Sequence, residues 1–321
     1  AQRGTSSTTS GYGSVDRFQI NYSGTDEAPT HAQADVSSGT TPYTNGFRKS
    51  LKITNGNQTS GAGADDYIRI IHFLEAQNVA QSGWNYVSSS SNITLSFWVK
   101  SSVAQNFYGF LLTNDGTAYS YPFETGSLSA DTWTKITKTI PGNSNLTVNN
   151  DNGTGLEFQL TPFYGTNKTG SVSLNAWGAF STSARTPDYT STWYTTNDAT
   201  FEITGVQLEV GPQATAFEHC SFGEELERCK RYFYRWNPSG TSSEAYFLYS
   251  GAYSSHSNSA FFDYTYQPAM RSTPTATTPS VDNQSSGSWS LYATRARWIA
   301  SATSSGAGAV FTSQIDFSAE L

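Results

Sequence analysis

Residues 201–236 read FEITGVQLEVGPQATAFEHCSFGEELERCKRYFYRW, and three local signals in this stretch set the reading of the whole chain. Phe201, Ile203, Val206, Leu208 and Val210 alternate with polar residues and fall out of step once, at Gly205, as in a core strand that carries a bulge or bend. Gly211-Pro212 stops that strand. Ser221 stands three residues before Glu224, the Ser-x-x-Glu arrangement in which side chain and backbone satisfy each other's unpaired donors at a helix start. Glu224, Glu225 and Glu227 precede Arg228, Lys230 and Arg231, the charge order that the helix dipole favours. Phe222, Leu226, Cys229 and Phe233 recur at helical spacing, so the expected helix has an apolar face that must pack on something. A buried strand, a turn and one helix in succession mark a seam between two β-rich bodies.

Upstream of the seam the chain reads as short strands divided by polar loops. Arg17 to Ile20, Ser50 to Thr54 and Tyr67 to Phe73 are strand-like, and Ile93, Leu95, Phe97 and Val99 give the cleanest period of two. Phe107 to Thr113 leads through the turn signal Asn114-Asp115-Gly116 into Ala118 to Tyr121. Trp133 to Ile140, Leu156 to Phe163, Ala176 to Ser181 and Thr200 to Val210 complete a set that suggests a two-sheet sandwich. Beyond the helix, Ala245 to Ser254, Ala260 to Tyr266, Ser288 to Ile299 and Ala309 to Phe317 form a smaller β unit with a thin core. The fold class is all-β, with a sandwich over 1–218, a bridging helix over 219–236 and a small β domain over 237–321.

Composition agrees and excludes other classes. A chain of 321 residues is long enough for two domains, and it is only 13% charged, with 19 Tyr, 19 Phe and 8 Trp. The formal net charge of -7 argues against a sequence-independent nucleic-acid binder, which needs a basic footprint. No apolar run is long enough for a transmembrane helix, so membrane insertion is not expected. Cys220 and Cys229 are too far apart along a helix for a disulfide, so both are expected as free thiols, as suits assembly in a reducing cytoplasm.

The seam also carries a resemblance. GVQLEVG, then ATAFEH, then the Phe-Gly-Glu-Glu-Leu helix with Arg228-Cys229-Lys230-Arg231-Tyr232, resembles a junction of bacteriophage tail-fibre and other virion appendage proteins. AQRGTS followed by GYGSVDRF is similar to the opening of the carbohydrate-binding-module-like domain of those proteins, where a short Asn-rich strand normally precedes it. Pro268-Ala-Met-Arg-Ser-Thr-Pro274 resembles the motif that opens a strand in their small C-terminal domain. The resemblance implies the jelly-roll form of the sandwich, a homotrimer, other virion proteins as partners, and a place on the virion exterior after assembly in the host cytoplasm. It further implies an upstream segment before Ala1.

Enzymatic signatures are sparse. The sequence has no Gly-x-Ser-x-Gly elbow, no His-Glu-x-x-His helix and no phosphate-binding Gly-rich loop ending in Lys. His31, His72, His219 and His256 are scattered. Among carboxylates, Asp65-Asp66 point apart on an extended chain, Glu224-Glu225 belong to the helix start, and Glu202 and Glu209 lie on a strand, so catalytic residues are assigned to none. Metal ligands are likewise assigned to none, and no cofactor is expected. Carbohydrate-binding jelly rolls often hold a structural calcium, for which Asp16, Asp65, Asp66 and Glu209 are the oxygen donors to test, although no dense Asp-x-Asp-x-Asp loop appears.

Binding is the chemistry the residues suggest. Sugars present apolar C–H faces ringed by hydroxyls, so a site for them needs aromatic platforms beside short polar side chains. Three loops have that mixture and give the candidate ligand-binding residues Trp84 and Tyr86, Tyr119 and Tyr121, and Tyr189, Trp193 and Tyr194. The competing reading is that these large aromatics cover core edges. The expected function is a phage tail-fibre-like adhesin, not an enzyme, that binds bacterial cell-surface polysaccharide. The alternatives are a purely structural virion scaffold or decoration protein and a surface-polysaccharide depolymerase.

Overall fold

In the strand Asn92–Ser101 the side chains of Ile93, Leu95, Phe97 and Val99 all enter one core, as their alternation requires. Trp98 on the opposite side is also buried, so this strand is covered on both faces. The computed structural model describes residues 2–236, 246–248, 259–277, 281–282, 284–302, 309–311 and 314–321. The chain forms two compact units, Arg3–His219 and Cys220–Leu321.

The first unit contains strands β1 Ser6–Ser7, β2 Phe18–Ser23, β3 Thr30–Asp35, β4 Lys49–Thr54, β5 Tyr67–Glu75, β6 Asn92–Ser101, β7 Asn106–Thr113, β8 Tyr119–Ser127, β9 Thr134–Pro141, β10 Thr154–Tyr164, β11 Gly178–Ala179 and β12 Thr200–Val210. Three single-turn helices, α1 Thr41–Thr44, α2 Ala76–Ala80 and α3 Thr192–Thr195, sit in its connections. The first sheet runs β1-β3-β4-β12-β6-β9 and the second β11-β8-β7-β10-β5-β2, with every strand pair antiparallel. Together they make a jelly-roll β-sandwich. Its core interleaves both sheets: Phe97 of the first meets Phe123 and Phe158 of the second at ring-centroid distances of 6.3 and 5.7 Å, and Phe201 meets Phe107 at 4.8 Å. Burying each such ring contributes about 1.5–3 kcal/mol. Two elements, β1 and β3, carry no sequence signal, because Thr30–Asp35 holds mostly small and polar residues with only His31 buried.

The expected reset at Gly205 is a β-bulge: the pairing of β12 with β6 breaks between Thr204 and Gln207, and Gly205 has φ +61°, a left-handed conformation that glycine adopts without strain.

The second unit opens with α4 Phe222–Lys230, whose capping box is complete: Ser221 Oγ accepts from the Glu224 backbone and the Glu224 carboxylate accepts from the Ser221 N–H at 2.9 Å. The helix departs from expectation in two ways. It stops at Lys230, and the next residues form β13 Phe233–Trp236, which pairs with the chain's last strand, because the aromatic run RYFYRW has a better partner in that strand than in another helical turn. Its apolar face is also only part-covered: Cys229 is buried and Phe222 is 79% exposed. Cys220 and Cys229 are both free.

The remaining strands are β14 Tyr246–Leu248, β15 Ser259–Thr265, β16 Thr275–Ala276, β17 Val281–Asp282, β18 Gln284–Leu291, β19 Arg295–Ala302, β20 Ala309–Phe311 and β21 Ile315–Ser318. Among the described residues they form, with β13, three three-stranded sheets, β13-β21-β16, β14-β20-β17 and β15-β19-β18. The run Ser288 to Ile299 is therefore two strands of a hairpin. Of the expected run Ala245 to Ser254, all but β14 lies outside the described residues. The Pro268–Pro274 motif ties this unit together: Met270 is buried at its core, and Arg271 donates to the carbonyls of Ala319 and Glu320 at 2.9 and 3.0 Å.

Candidate functional site

The loop aromatics expected to meet ligand are largely core. Trp193 and Tyr194 are fully buried, and Trp84 and Tyr121 retain 4% and 3% exposure. Each has a structural reason to face inward. Trp193 donates from its ring to the Thr200 carbonyl at 3.0 Å and from its backbone to Gln105 Oε1 at 2.9 Å, while Tyr194 stacks on Phe163 at 4.3 Å. Trp84 donates to the Ser91 carbonyl, and Tyr121 sets an edge against Trp177. These four cannot offer a ring face to a sugar, which corrects their assignment as ligand contacts. Tyr86 and Tyr119 are half-buried and pack on the same core. Tyr189 is half-buried too, and it is the one of the seven that reaches the outer face of the second sheet, against Tyr108 at 5.0 Å and Tyr164 at 6.3 Å.

That outer face is the candidate site. Along β10, Leu156, Phe158 and Leu160 enter the core, so Glu157, Gln159 and Thr161 project outward, and a register break between Leu160 and Phe163 lets Tyr164 join them. Neighbouring strands add residues to the same face: Tyr108 opposite Thr161, Arg69 opposite Asn21, and Gln19 opposite Ile71, which itself pairs with Gln159. The chain after β10 returns over part of this face. Phe180 packs on Phe110, and Arg185 lies over the Tyr164 and Phe180 rings while donating to the Tyr164 hydroxyl at 3.2 Å. Tyr67, Arg69, Gln19, Asn21 and Glu157 remain half-exposed.

A hydrogen-bonded line runs across this floor. Tyr164 and Gln159 meet at 3.3 Å, and the Gln159 amide donates to Glu157 Oε2 at 2.7 Å. Burial raises the Glu157 carboxyl above its usual range, opposed by hydrogen bonds from Gln159 and Asn114 and by the charges of Arg69 and Arg185. Arg69 lies over the Tyr67 ring at 5.2 Å, and Tyr67 lies 6.1 Å from Tyr164. Tyr164, Gln159 and Thr161 are themselves buried, so the accessible groups are the Tyr67 ring, the Gln19 and Asn21 amides, the Glu157 carboxylate and the Arg69 guanidinium, able to stack on an apolar face and to exchange hydrogen bonds in both directions. Sequence reasoning passed over these residues. Their signal was the polar half of the alternation in β5 and β10, which reads as plain solvent exposure until the covering segment is known.

The first sheet's outer face has a different use. The junction motif folds back on it: Glu209 accepts from the backbone and hydroxyl of Thr215 at 2.9 and 2.6 Å, Gln207 accepts from the Glu218 N–H, and Phe217 and His219 flank Phe47. A cleft of about 250 Å³ remains beneath, lined by Phe47, Trp98, Lys135 and Phe217 among others. The carboxylates considered for catalysis or calcium are engaged separately. Glu202 pairs with Lys100 at 2.9 Å and accepts from Ser50, Asp66 accepts from the Gly63 N–H, and Asp65 lies 3.5 Å from Lys168. Among the described residues no three His, Cys, Asp or Glu side chains converge to hold a metal ion.

No family model matches the chain, and no curated protein matches it. Among solved structures, the chain is similar to the N-terminal cellulose-binding domain of a Cellulomonas fimi β-1,4-glucanase C, at 11% identity over 66% of this chain and 98% of that one, with a TM-score of 0.32. It is similar also to a family 11 carbohydrate-binding module from Clostridium thermocellum in complex with a β-1,3-1,4-mixed-linked tetrasaccharide, at 13% identity over 67% and 98% and a TM-score of 0.28. A CBM4 structure gives 12% identity over 56% and 78%, with a TM-score of 0.29. At such scores the likeness carries no weight for function, and the fold rests on the strand pairing itself.

Proposed function

We propose that this protein is a phage virion appendage, tail-fibre-like, whose sandwich adheres to bacterial surface polysaccharide without covalent chemistry. The observation that carries glycan binding is the outer face of the second sheet, where the half-exposed Tyr67, Arg69, Gln19, Asn21 and Glu157 set a ring and hydrogen-bonding groups on one surface, over a buried floor of Gln159 and Tyr164. The virion assignment is supported by the motifs at both ends of the chain. Those motifs have structural work consistent with use as a module: the GVQLEVG and ATAFEH segments clasp each other, and Pro268–Pro274 secures the chain end. Assembly as a homotrimer, and contact with other virion proteins, belong to the same proposal. Several weak sites on one particle would make attachment tight through multivalency.

A purely structural role in the virion is the second reading, favoured by Phe222, a ring 79% exposed at the start of α4, as a contact with another chain would leave it in the isolated protein. The two are separated by measuring binding of the purified protein to host polysaccharide, wild type against a Tyr67→Ala, Asn21→Ala variant of checked fold. Saturable binding that the variant loses supports adhesion; no binding by assembled wild type to several hosts leaves the structural role.

A further inference from the structure

We infer that the outer face of the second sheet recognises an oxyanion on its glycan, a carboxylate or a phosphodiester, through the guanidinium of Arg69. The inference rests on the glycan-binding reading and narrows its ligand.

Most of the other arginines are engaged, and Arg228 and Arg295, which make no side-chain hydrogen bond among the described residues, are exposed to solvent. Arg17 donates to the Phe73 carbonyl, Arg48 to that of Tyr43, Arg185 to Thr182 and the Tyr164 hydroxyl, and Arg235 and Arg297 form two-pronged pairs with Asp316 and Asp263. Arg69 differs. Among the described residues it makes no hydrogen bond or ion pair, and its Nε is buried without a partner. The cause is local. On one side Arg69 faces Asn21 in β2, and on the other the register break between Leu160 and Phe163 leaves no residue of β10 directly opposite it. A half-buried guanidinium with unused donors is costly in an isolated fold, and its fork matches a carboxylate or phosphate in two-pronged geometry. Its place over the Tyr67 ring at 5.2 Å holds the plane in position before any ligand arrives.

The charges on this face favour an anion. Arg69 and Arg185 stand near one carboxylate, Glu157, which is already held by the Gln159 amide at 2.7 Å. Two guanidinium groups thus act on one carboxylate here, within a protein of net charge -7. Screening is weaker at a half-buried site than in open solvent, so the local charge decides what docks.

The experiment measures equilibrium binding of the full chain to three polymers: polygalacturonate, its carboxyl-reduced neutral counterpart, and a poly(glycerol phosphate) chain. Wild type, Arg69→Gln and Arg69→Lys are compared at two salt concentrations. Wild type is expected to bind one of the anionic polymers roughly tenfold or more above the neutral one, with the preference shrinking in high salt. Which anionic polymer is bound separates carboxylate from phosphate. Arg69→Gln should remove the preference while residual neutral-polymer binding persists, and Arg69→Lys should restore part of it. Equal affinity for neutral and anionic polymers, or an unchanged preference in Arg69→Gln, overturns oxyanion recognition and leaves glycan binding standing. Failure to bind all three polymers overturns the oxyanion assignment, and glycan binding falls with it when host cells are not bound either.

Discussion

Phe47 lies over Gly205 so closely that a Cβ built at Gly205 would stand 2.5 Å from the Phe47 ring carbon Cζ. The contact sits where the bulge of β12 meets the residues that receive the junction segment, since the same ring meets Phe217 and His219 at centroid distances of 4.8 and 5.1 Å, in a cluster in which those two rings lie 4.9 Å from each other. Gly205→Ala combines a left-handed backbone that alanine disfavours with overpacking against that ring, and is expected to cost roughly 2–4 kcal/mol. Phe47→Leu in the same chain should recover part of the loss. Denaturant unfolding of the four chains of this cycle checks it, and simple additivity would argue against the contact.

Trp193→Ala should destabilise the sandwich by about 3–5 kcal/mol, because the ring is fully buried and its N–H is used by Thr200. Tyr67→Ala, on the outer face, should cost far less and act on ligand instead. Thermal unfolding of both variants separates them. Near-equal melting temperatures for Trp193→Ala and wild type would place that tryptophan outside the core.

Acid should weaken the first unit through its histidines. Burial, with the Arg17 charge, depresses the imidazole of His72 from 6.5 to about 4, and burial lowers that of His31 as well. The unfolded chain therefore binds protons that the folded one refuses. The contribution of neutral His72 is complete above about pH 6.5, declines as pH falls from there toward 4, and is lost below, amounting to on the order of 1–3 kcal/mol. In His72→Gln, which cannot titrate, stability between pH 6.5 and 4 should fall less steeply. Parallel curves from urea titrations would count against a depressed His72.

Ser221→Ala removes one half of the capping box and should lower the stability of the second unit by about 0.5–2 kcal/mol. Ser221→Asp, which keeps an acceptor, should largely preserve it. Calorimetry reads both, and no change in Ser221→Ala would mean that α4 does not limit unfolding of this unit.

How much of this was legible in the sequence depended on the range of the signal. Strands such as β6 and β12, the bulge at Gly205 and the Ser221 cap depend on neighbours within a few positions, so alternation and capping chemistry located them. The helix end did not, because RYFYRW becomes a strand through pairing with residues some eighty positions on, in β21. Side choice was the larger failure. Trp193 and Tyr194 occupy a polar loop and look exposed there, yet their single-turn helix α3 turns both rings inward onto Phe201 and Phe163. Conversely, Arg69, Glu157 and Gln159 look like ordinary outward strand residues. Only the register of β5 against β10, and the covering segment that brings Arg185 onto Tyr164, place them in one surface.

The most direct test of that surface is binding of the purified chain to intact host cells or their isolated polysaccharide, comparing wild type, Tyr67→Ala with Asn21→Ala, and Trp84→Phe as a core control. Saturable binding by wild type and by Trp84→Phe, lost in the sheet-face variant at an unchanged melting temperature, is the expected result. Full binding by the sheet-face variant would contradict it and move the ligand off the second sheet.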